Sequence, residues 1–254
     1  MRQTEHQPFF YQNDNPMLAM CVHGYMGSPV YFAGWTEQLL AQGYDCKGLL
    51  LPGHGEEPKR FSRATAEEWI GHVRGEVAQA AAQYDGILML GHSMGGLLSL
   101  LMAAEEKKIK GVFALNPAVG FHFRPASLSK YAGLLLGKPE RDSEKRREIR
   151  SQVSVELTGL LDAGHYVRPM KQLYKLVARL PAAEEKITCP VLLFHGKKDE
   201  TVSGRAIAKL CSRLPEGEEV VLPDSTHEYY PASDRRIIAA SLKKFAARVN
   251  PGQT

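Results

Sequence analysis

The chain predicts an α/β fold: a mostly parallel central sheet flanked by helices, with a helical cap inserted in its second half. Three observations carry this. Short apolar runs alternate with longer stretches of helical periodicity, the pattern of strands joined by crossover helices. One apolar run, residues 87–90, meets a Gly-x-Ser-x-Gly pentapeptide, Gly91 to Gly95, and an apolar helical pattern follows at once. Residues 120–183 break the alternation, holding helical patterns but no convincing strand.

The elements follow in order. Residues 18–22 form an apolar strand that ends in His23-Gly24. Residues 29–42 have helical periodicity, with Tyr31, Phe32, Trp35, Leu39 and Leu40 on one side, and Gly43 sits just past the end, where a helix C-terminus favours it. Residues 44–51 form a second strand, closed by Pro52-Gly53-His54-Gly55. Thr65 and Glu68 have the spacing of a capping box, opening a helix that runs to about residue 84. Residues 110–115, 191–194 and 218–222 are further strands, and residues 234–249 are the final helix, with Ile237, Ile238, Leu242, Phe245 and Ala246 as its apolar face. The core therefore spans residues 1–119 and 184–254. The cap spans 120–183, with helical patterns at 128–136, 140–150 and 157–180.

Composition narrows the class. The chain has 254 residues, 44% hydrophobic and 24% charged, which describes an ordinary globular protein rather than a disordered one. Residues 1–15 are polar apart from Phe9, Phe10 and Tyr11, unlike a signal peptide, and the longest apolar stretch, residues 95–104, is too short to span a bilayer. The expectation is a cytoplasmic protein with no stable membrane insertion, present as a monomer or homodimer. Four scattered cysteines, Cys21, Cys46, Cys189 and Cys211, have no C-x-x-C spacing and imply neither a metal site nor a disulfide framework. The net charge of +4 lies in one segment: residues 120–185 carry twelve Lys/Arg against eight Asp/Glu, and the remainder balances at twenty of each. No aromatic-interleaved basic stripe accompanies it, so no nucleic-acid partner is expected.

The pentapeptide carries the chemistry. A strand–turn–helix bend this tight holds its serine in strained backbone geometry with the hydroxyl thrust outward, and bulk two residues to either side would clash. Ser93 is thus the candidate nucleophile. A serine hydroxyl needs a base, and the base needs an acid to hold its tautomer. On such a sheet the partners follow the serine in the order acid, then histidine. Of nine histidines, four follow Ser93: His122 and His165 in the cap, His195 in a tight His-Gly turn, and His227 in the loop after the last strand. His227 is the candidate base. Asp199, a short turn beyond the strand at 191–194, is the candidate acid, with Glu200 as an alternative and Asp224, only three residues from His227, as a weaker one. The oxyanion needs N–H donors: the backbone N–H of Met94, at the start of the helix after the elbow, and that of Tyr25, in the loop after the strand at 18–22. His23 and His54 are expected to brace loops, and His92 to pack or hydrogen-bond rather than act as a second base.

These pieces together resemble the α/β-hydrolase superfamily, most nearly bacterial carboxylesterases and monoacylglycerol lipases. The matching residues are His23-Gly24-Tyr25-Met26-Gly27-Ser28-Pro29, Leu51-Pro52-Gly53-His54-Gly55, Gly91-His92-Ser93-Met94-Gly95-Gly96, Asp199 and His227. The resemblance implies a Ser93–His227–Asp199 triad, an acyl-enzyme resolved by water, a small-molecule ester as substrate, and no metal or organic cofactor. It also implies that the cap forms a lid and acyl pocket. Leu134, Leu135 and Leu136, and Leu157, Leu160 and Leu161, either line an acyl tunnel there or pin the cap to the core. Two other functions compete with ester hydrolysis. One is carbon–carbon bond hydrolysis or lysis on the same triad; the other, which fits less well, is a non-catalytic ligand receptor.

Overall fold

The structure, a computed structural model, describes residues 6–122, 144–155 and 164–250. Among them seven strands form one sheet: β1 Phe9–Tyr11, β2 Met17–Val22, β3 Tyr44–Leu49, β4 Gly86–His92, β5 Ile109–Leu115, β6 Val191–Gly196 and β7 Gly217–Leu222. Their order is β1-β3-β2-β4-β5-β6-β7, and every neighbour is parallel except the antiparallel pair β1–β3. A 3-10 turn, Pro29–Phe32, leads into α1 Ala33–Leu40. The remaining described helices are α2 Pro58–Phe61, α3 Ala66–Gln83, α4 Met94–Ala103, α5 Glu144–Gln152, α6 Gly164–Val177, α7 Leu180–Glu184, α8 Gly204–Cys211 and α9 Ala232–Val249.

The strands read as unbroken apolar runs because both of their faces are covered. β2 and β4 are buried along their full lengths. Successive side chains point to opposite faces, and alternate residues feed two separate layers. Leu18, Met20, Val22, Ile87 and Met89 pack with Trp69, Ile70 and Val73 of α3 and with Leu97, Leu98 and Leu101 of α4. Ala19, Cys21, Leu88, Leu90 and Phe113 pack instead with Phe32 and Leu39 and with Ile238, Leu242 and Phe245 of α9. Helix α3 begins where the capping box sets it: Thr65 Oγ1 accepts the Glu68 N–H at 3.2 Å, and the Glu68 carboxylate accepts the Thr65 N–H at 2.9 Å.

Chain order and sheet order diverge once. From β2 the chain crosses to β3 on one side, then returns to β4 on the other. The loops after β2 and β4 therefore run apart beyond the carboxyl ends of the strands, which is where such sheets open a crevice.

Several boundaries differ from the sequence expectation for physical reasons. β3 stops at Leu49, not residue 51, because its partner β2 ends at Val22 in the same register. The helix expected over 29–42 is split, since Ser28 Oγ accepts the Val30 N–H at 3.2 Å and tightens the first turn into a 3-10 segment. β1, α2, α7 and α8 have no counterpart in the sequence expectation. Between β5 and β6 the described residues form α5, α6 and α7, apart from an isolated bridge between Phe121 and Val202. The helix expected at 128–136, with Leu134, Leu135 and Leu136, and the leucines at 157, 160 and 161 lie outside the described residues. No described helix is long and apolar enough to cross a membrane. All four cysteines are free thiols, Cys21 and Cys46 buried in the strands.

Candidate active site

Ser93 stands between β4 and α4 with φ 51° and ψ −116°, a conformation that costs a non-glycine residue free energy. Its neighbours hold it there. The Ser93 N–H donates to Leu115 O at 2.9 Å, and its carbonyl accepts from Leu97 N at 3.1 Å and Ala118 N at 3.0 Å. The bend leaves no room for side chains at the flanking glycines. A Cβ on Gly95 would stand 1.9 Å from Val22 O, and one on Gly91 2.4 Å from the Cα of Gly96.

The structure brings three of the sequence-selected side chains together. His227 Nε2 faces Ser93 Oγ at 2.9 Å, and His227 Nδ1 faces Asp199 Oδ2 at 2.8 Å. With the carboxylate accepting, Nδ1 carries the proton and Nε2 is left to accept the Ser93 hydroxyl. The other Asp199 oxygen accepts backbone N–H groups from Thr201 at 2.7 Å and Val202 at 2.8 Å. Burial pushes the Asp199 carboxyl up, but the adjoining imidazole and these two N–H donors outweigh it and hold the group below the usual carboxylate value. All three residues are buried.

The loops that present Asp199 and His227 are fastened to each other: Lys197 N donates to Leu222 O at 2.8 Å, and Lys198 N to Ser225 O at 3.1 Å. Gly196 permits the approach, since a Cβ there would lie 2.4 Å from Ser225 O. The two alternative acids are engaged elsewhere. Glu200 accepts the backbone N–H of His227 at 3.4 Å, and Asp224 pairs with Lys198 Nζ at 2.7 Å.

Met94 and the loop that carries Tyr25 border the serine. Met94 is the first residue of α4. Tyr25 follows Gly24, which lies against the elbow: a Cβ on Gly24 would come within 3.0 Å of Ser93 Cβ. Two buried histidines shape this loop as acceptors. His23 Nε2 takes the Leu51 N–H at 3.1 Å while its Nδ1–H donates to Gly24 O at 2.9 Å. His54 Nε2 takes the Met26 N–H at 3.1 Å and so supports the left-handed Met26, φ 61°. Burial pushes His54 down to about 4, and it pushes His23 well below the usual histidine value. The segment between β5 and β6 also grips the loop. Ser154 N donates to Met26 O at 2.9 Å, Ser154 Oγ to Gly27 O at 2.5 Å, and Tyr25 Oη to Tyr166 O at 2.6 Å.

His92 lies beside the triad but turns its Nε2–H to the His227 carbonyl at 3.0 Å and stacks on Tyr31, with ring centroids 4.3 Å apart; burial pushes it down to about 4. Among the described residues, His92, His227 and Glu228 form the one group close enough to share a metal ion. Both imidazoles already spend nitrogens on Ser93, Asp199 and the His227 carbonyl, so that donor set is largely committed. Of the other three later histidines, His122 donates its backbone N–H to Thr201 O at 2.9 Å, His165 lies in the first turn of α6, and His195 pairs with Glu219 at 3.0 Å. One buried polar residue at the site went unselected in the sequence, Asn116. Its Oδ1 accepts from Gly196 N at 2.8 Å, and its two Nδ2 protons are shared among Thr226 O, His227 O and Tyr230 Oη at 3.0, 3.1 and 2.8 Å.

A parallel sheet with this strand order, a serine in a left-handed bend between β4 and α4, and an imidazole and carboxylate from the last two strand loops define an α/β-hydrolase. The chain belongs to the family described as serine aminopeptidase, S33, whose model matches residues 16–231. It is similar to the thermostable monoacylglycerol lipase of Bacillus sp. (strain H-257), 26% identical over 193 residues that cover 76% of this chain and 74% of that one. It is also similar to the monoglyceride lipase of Mus musculus, 30% identical over 163 residues, 58% of this chain and 53% of that one. A solved structure among the metagenome-derived lipolytic enzymes LipS and LipT superposes with a TM-score of 0.76 at 20% identity, covering 96% of this chain and 98% of that one.

Proposed function

We propose that the protein is a serine hydrolase of carboxylic esters, with short or medium acyl chains or monoacylglycerols as substrates, working through Ser93, His227 and Asp199 and an acyl-enzyme. The observation that carries this reading is the unbroken line of contacts, Asp199 to His227 at 2.8 Å and His227 to Ser93 at 2.9 Å, at a strained elbow. Relatives named as monoacylglycerol lipases support the substrate class.

The chemistry follows from the tautomer. His227 Nε2 accepts the Ser93 proton as Oγ attacks the ester carbonyl carbon. The carbonyl π pair moves onto oxygen, and the N–H groups of Met94 and Tyr25 receive the charge. Collapse re-forms the carbonyl and expels the alcohol oxygen, which takes the proton from the imidazolium. A water then gives its proton to Nε2 and attacks the acyl carbon, and a second collapse releases the acid and returns the proton to Ser93. Asp199, held acidic by its surroundings, stays ionised and faces the positive ring throughout.

Graded p-nitrophenyl esters test the proposal. Turnover should be present in the unsubstituted chain and fall about 10⁴–10⁶-fold in Ser93→Ala. An organophosphate should add its mass to Ser93 alone. A folded chain that neither turns over the esters nor takes the label defeats it.

A further inference from the structure

We infer that Asn116 is a positioning residue: through one turn, residues 115–118, it sets the His227 base in register with the Ser93 nucleophile. This rests on the triad reading above.

Asn116 directly follows β5 and is fully buried, with φ 44°. Asparagine tolerates that left-handed backbone better than most side chains. Its neighbours in the turn hold the elbow. Leu115 O accepts the Ser93 N–H at 2.9 Å, and Ala118 N donates to Ser93 O at 3.0 Å. Its own main-chain N–H continues the sheet by donating to Phe194 O at 2.9 Å. Its side chain reaches the other half of the site. Oδ1 takes the Gly196 N–H at the end of β6, and the two Nδ2 protons are shared among the carbonyls of Thr226 and His227 and Tyr230 Oη. The carbonyl of His227 also receives His92 Nε2 at 3.0 Å and Tyr230 Oη at 3.4 Å. Three side chains therefore fix the peptide plane from which the imidazole projects.

The chemistry asks for an amide. An acceptor is needed toward β6 and a donor toward the His227 loop, at one branch point. Aspartate offers oxygen on both branches and would set a charge against the carbonyl oxygens of Thr226 and His227. Serine is too short to span both partners. Asn116 touches no reacting atom; it acts through the aim of His227.

The test compares Asn116→Asp and Asn116→Ser with the unsubstituted chain, each also in a His227→Ala background. A p-nitrophenyl ester gives kcat and KM, near-ultraviolet circular dichroism reports packing, and the low-field proton resonance of the His227 Nδ1–H reports the imidazole's place against Asp199. The expected result is a fall in kcat of about 10²-fold with KM within about threefold, since misplacement of a reacting group by about 1 Å costs that much. The resonance should shift or vanish, and the substitutions should cost nothing further once His227 is alanine. Unchanged kcat and resonance in a folded variant overturn the inference, and so does a loss that persists undiminished beside His227→Ala. If Asn116→Asp fails to fold with its buried charge, Asn116→Ser decides; if neither folds, Asn116 is a folding residue and the inference falls. An unsubstituted chain without ester turnover defeats the proposed function instead, and the resonance, which needs no substrate, still judges Asn116.

Discussion

Substituting His54 by glutamine should remove one share of the protein's sensitivity to mild acid, the buried His23 and His92 acting in the same window. His54 is buried, 1% exposed, and its Nε2 accepts the Met26 N–H at 3.1 Å. Protonation would place N–H against N–H. Burial pushes this imidazole down to about 4, against an opposing pull from the Pro52 and Leu51 backbone. In the unfolded chain it titrates near ~6.5. Between those values the unfolded state binds a proton that the folded state refuses, so unfolding becomes easier as pH falls through the window. The stability is fully present above about 6.5 and is lost progressively toward about 4. At pH ~5 the deficit is about 1.5 pH units at about 1.4 kcal/mol each, or about 2 kcal/mol. Asp199, held below its usual value, works in another range: its contribution is present above about 3.8 and fails only at lower pH. Glutamine keeps an acceptor for Met26 N and does not titrate.

Urea unfolding of both chains at pH ~7 and ~5 gives the comparison. His54→Gln should be the less stable chain at neutral pH, having lost ring contacts with Trp69 and Phe61. On acidification the unsubstituted chain should lose about 2 kcal/mol more than the variant, a midpoint difference approaching 1 M at a slope of about 2–3 kcal/mol/M. Parallel pH dependences in the two chains would refute the assignment of His54 as a neutral acceptor.

Asp199→Asn should lower kcat about 10⁴-fold in a chain that still folds, as wrong-tautomer substitutions do in serine hydrolases generally, and steady-state ester kinetics measure it. Gly95→Ala should destabilise by about 3 kcal/mol, the upper end for overpacking, because its methyl would meet Val22 O at 1.9 Å; the urea midpoint reads this. Thr65→Ala removes the N-cap of α3 and should cost about 1 kcal/mol with ester turnover per folded molecule unchanged.

The sheet was readable in the sequence because strands covered on both faces are written in apolar residues alone, as in β2 and β4. The elbow was readable because a sharp bend forces small residues at fixed offsets from the serine. Four elements escaped, among them α7, five residues that follow α6 almost at once. β1 is three residues long, too short for any period, and exists by pairing with β3 more than thirty residues away. α2 is a single turn. α8 has eight residues and only Ile207 and Leu210 as buried apolar positions, too few to write a helical period. The end of β3 depends on the length of its neighbour, a tertiary fact. At the site, chain order selected Ser93, Asp199 and His227, the side chains the fold brings into contact. It could not select Asn116, since Asn-Pro-Ala reads as an ordinary turn and the residue's partners come from two distant loops. Nor could it reveal that His23 and His54 serve as acceptors, which only burial and the direction of the N–H groups disclose.

Ser154, just past the end of α5, and Tyr166, within α6, lie among the helices between β5 and β6, yet their bonds end on the loop that carries Tyr25. Those helices are therefore not an interchangeable module resting on an independent scaffold. On the proposed function, a chimera that replaced them with the equivalent stretch of a relative would disturb the loop that offers the Tyr25 N–H, whatever pocket it brought with it. Transplants that carry matching partners for Met26, Gly27 and Tyr25 should keep their turnover, and transplants chosen for pocket shape alone should not.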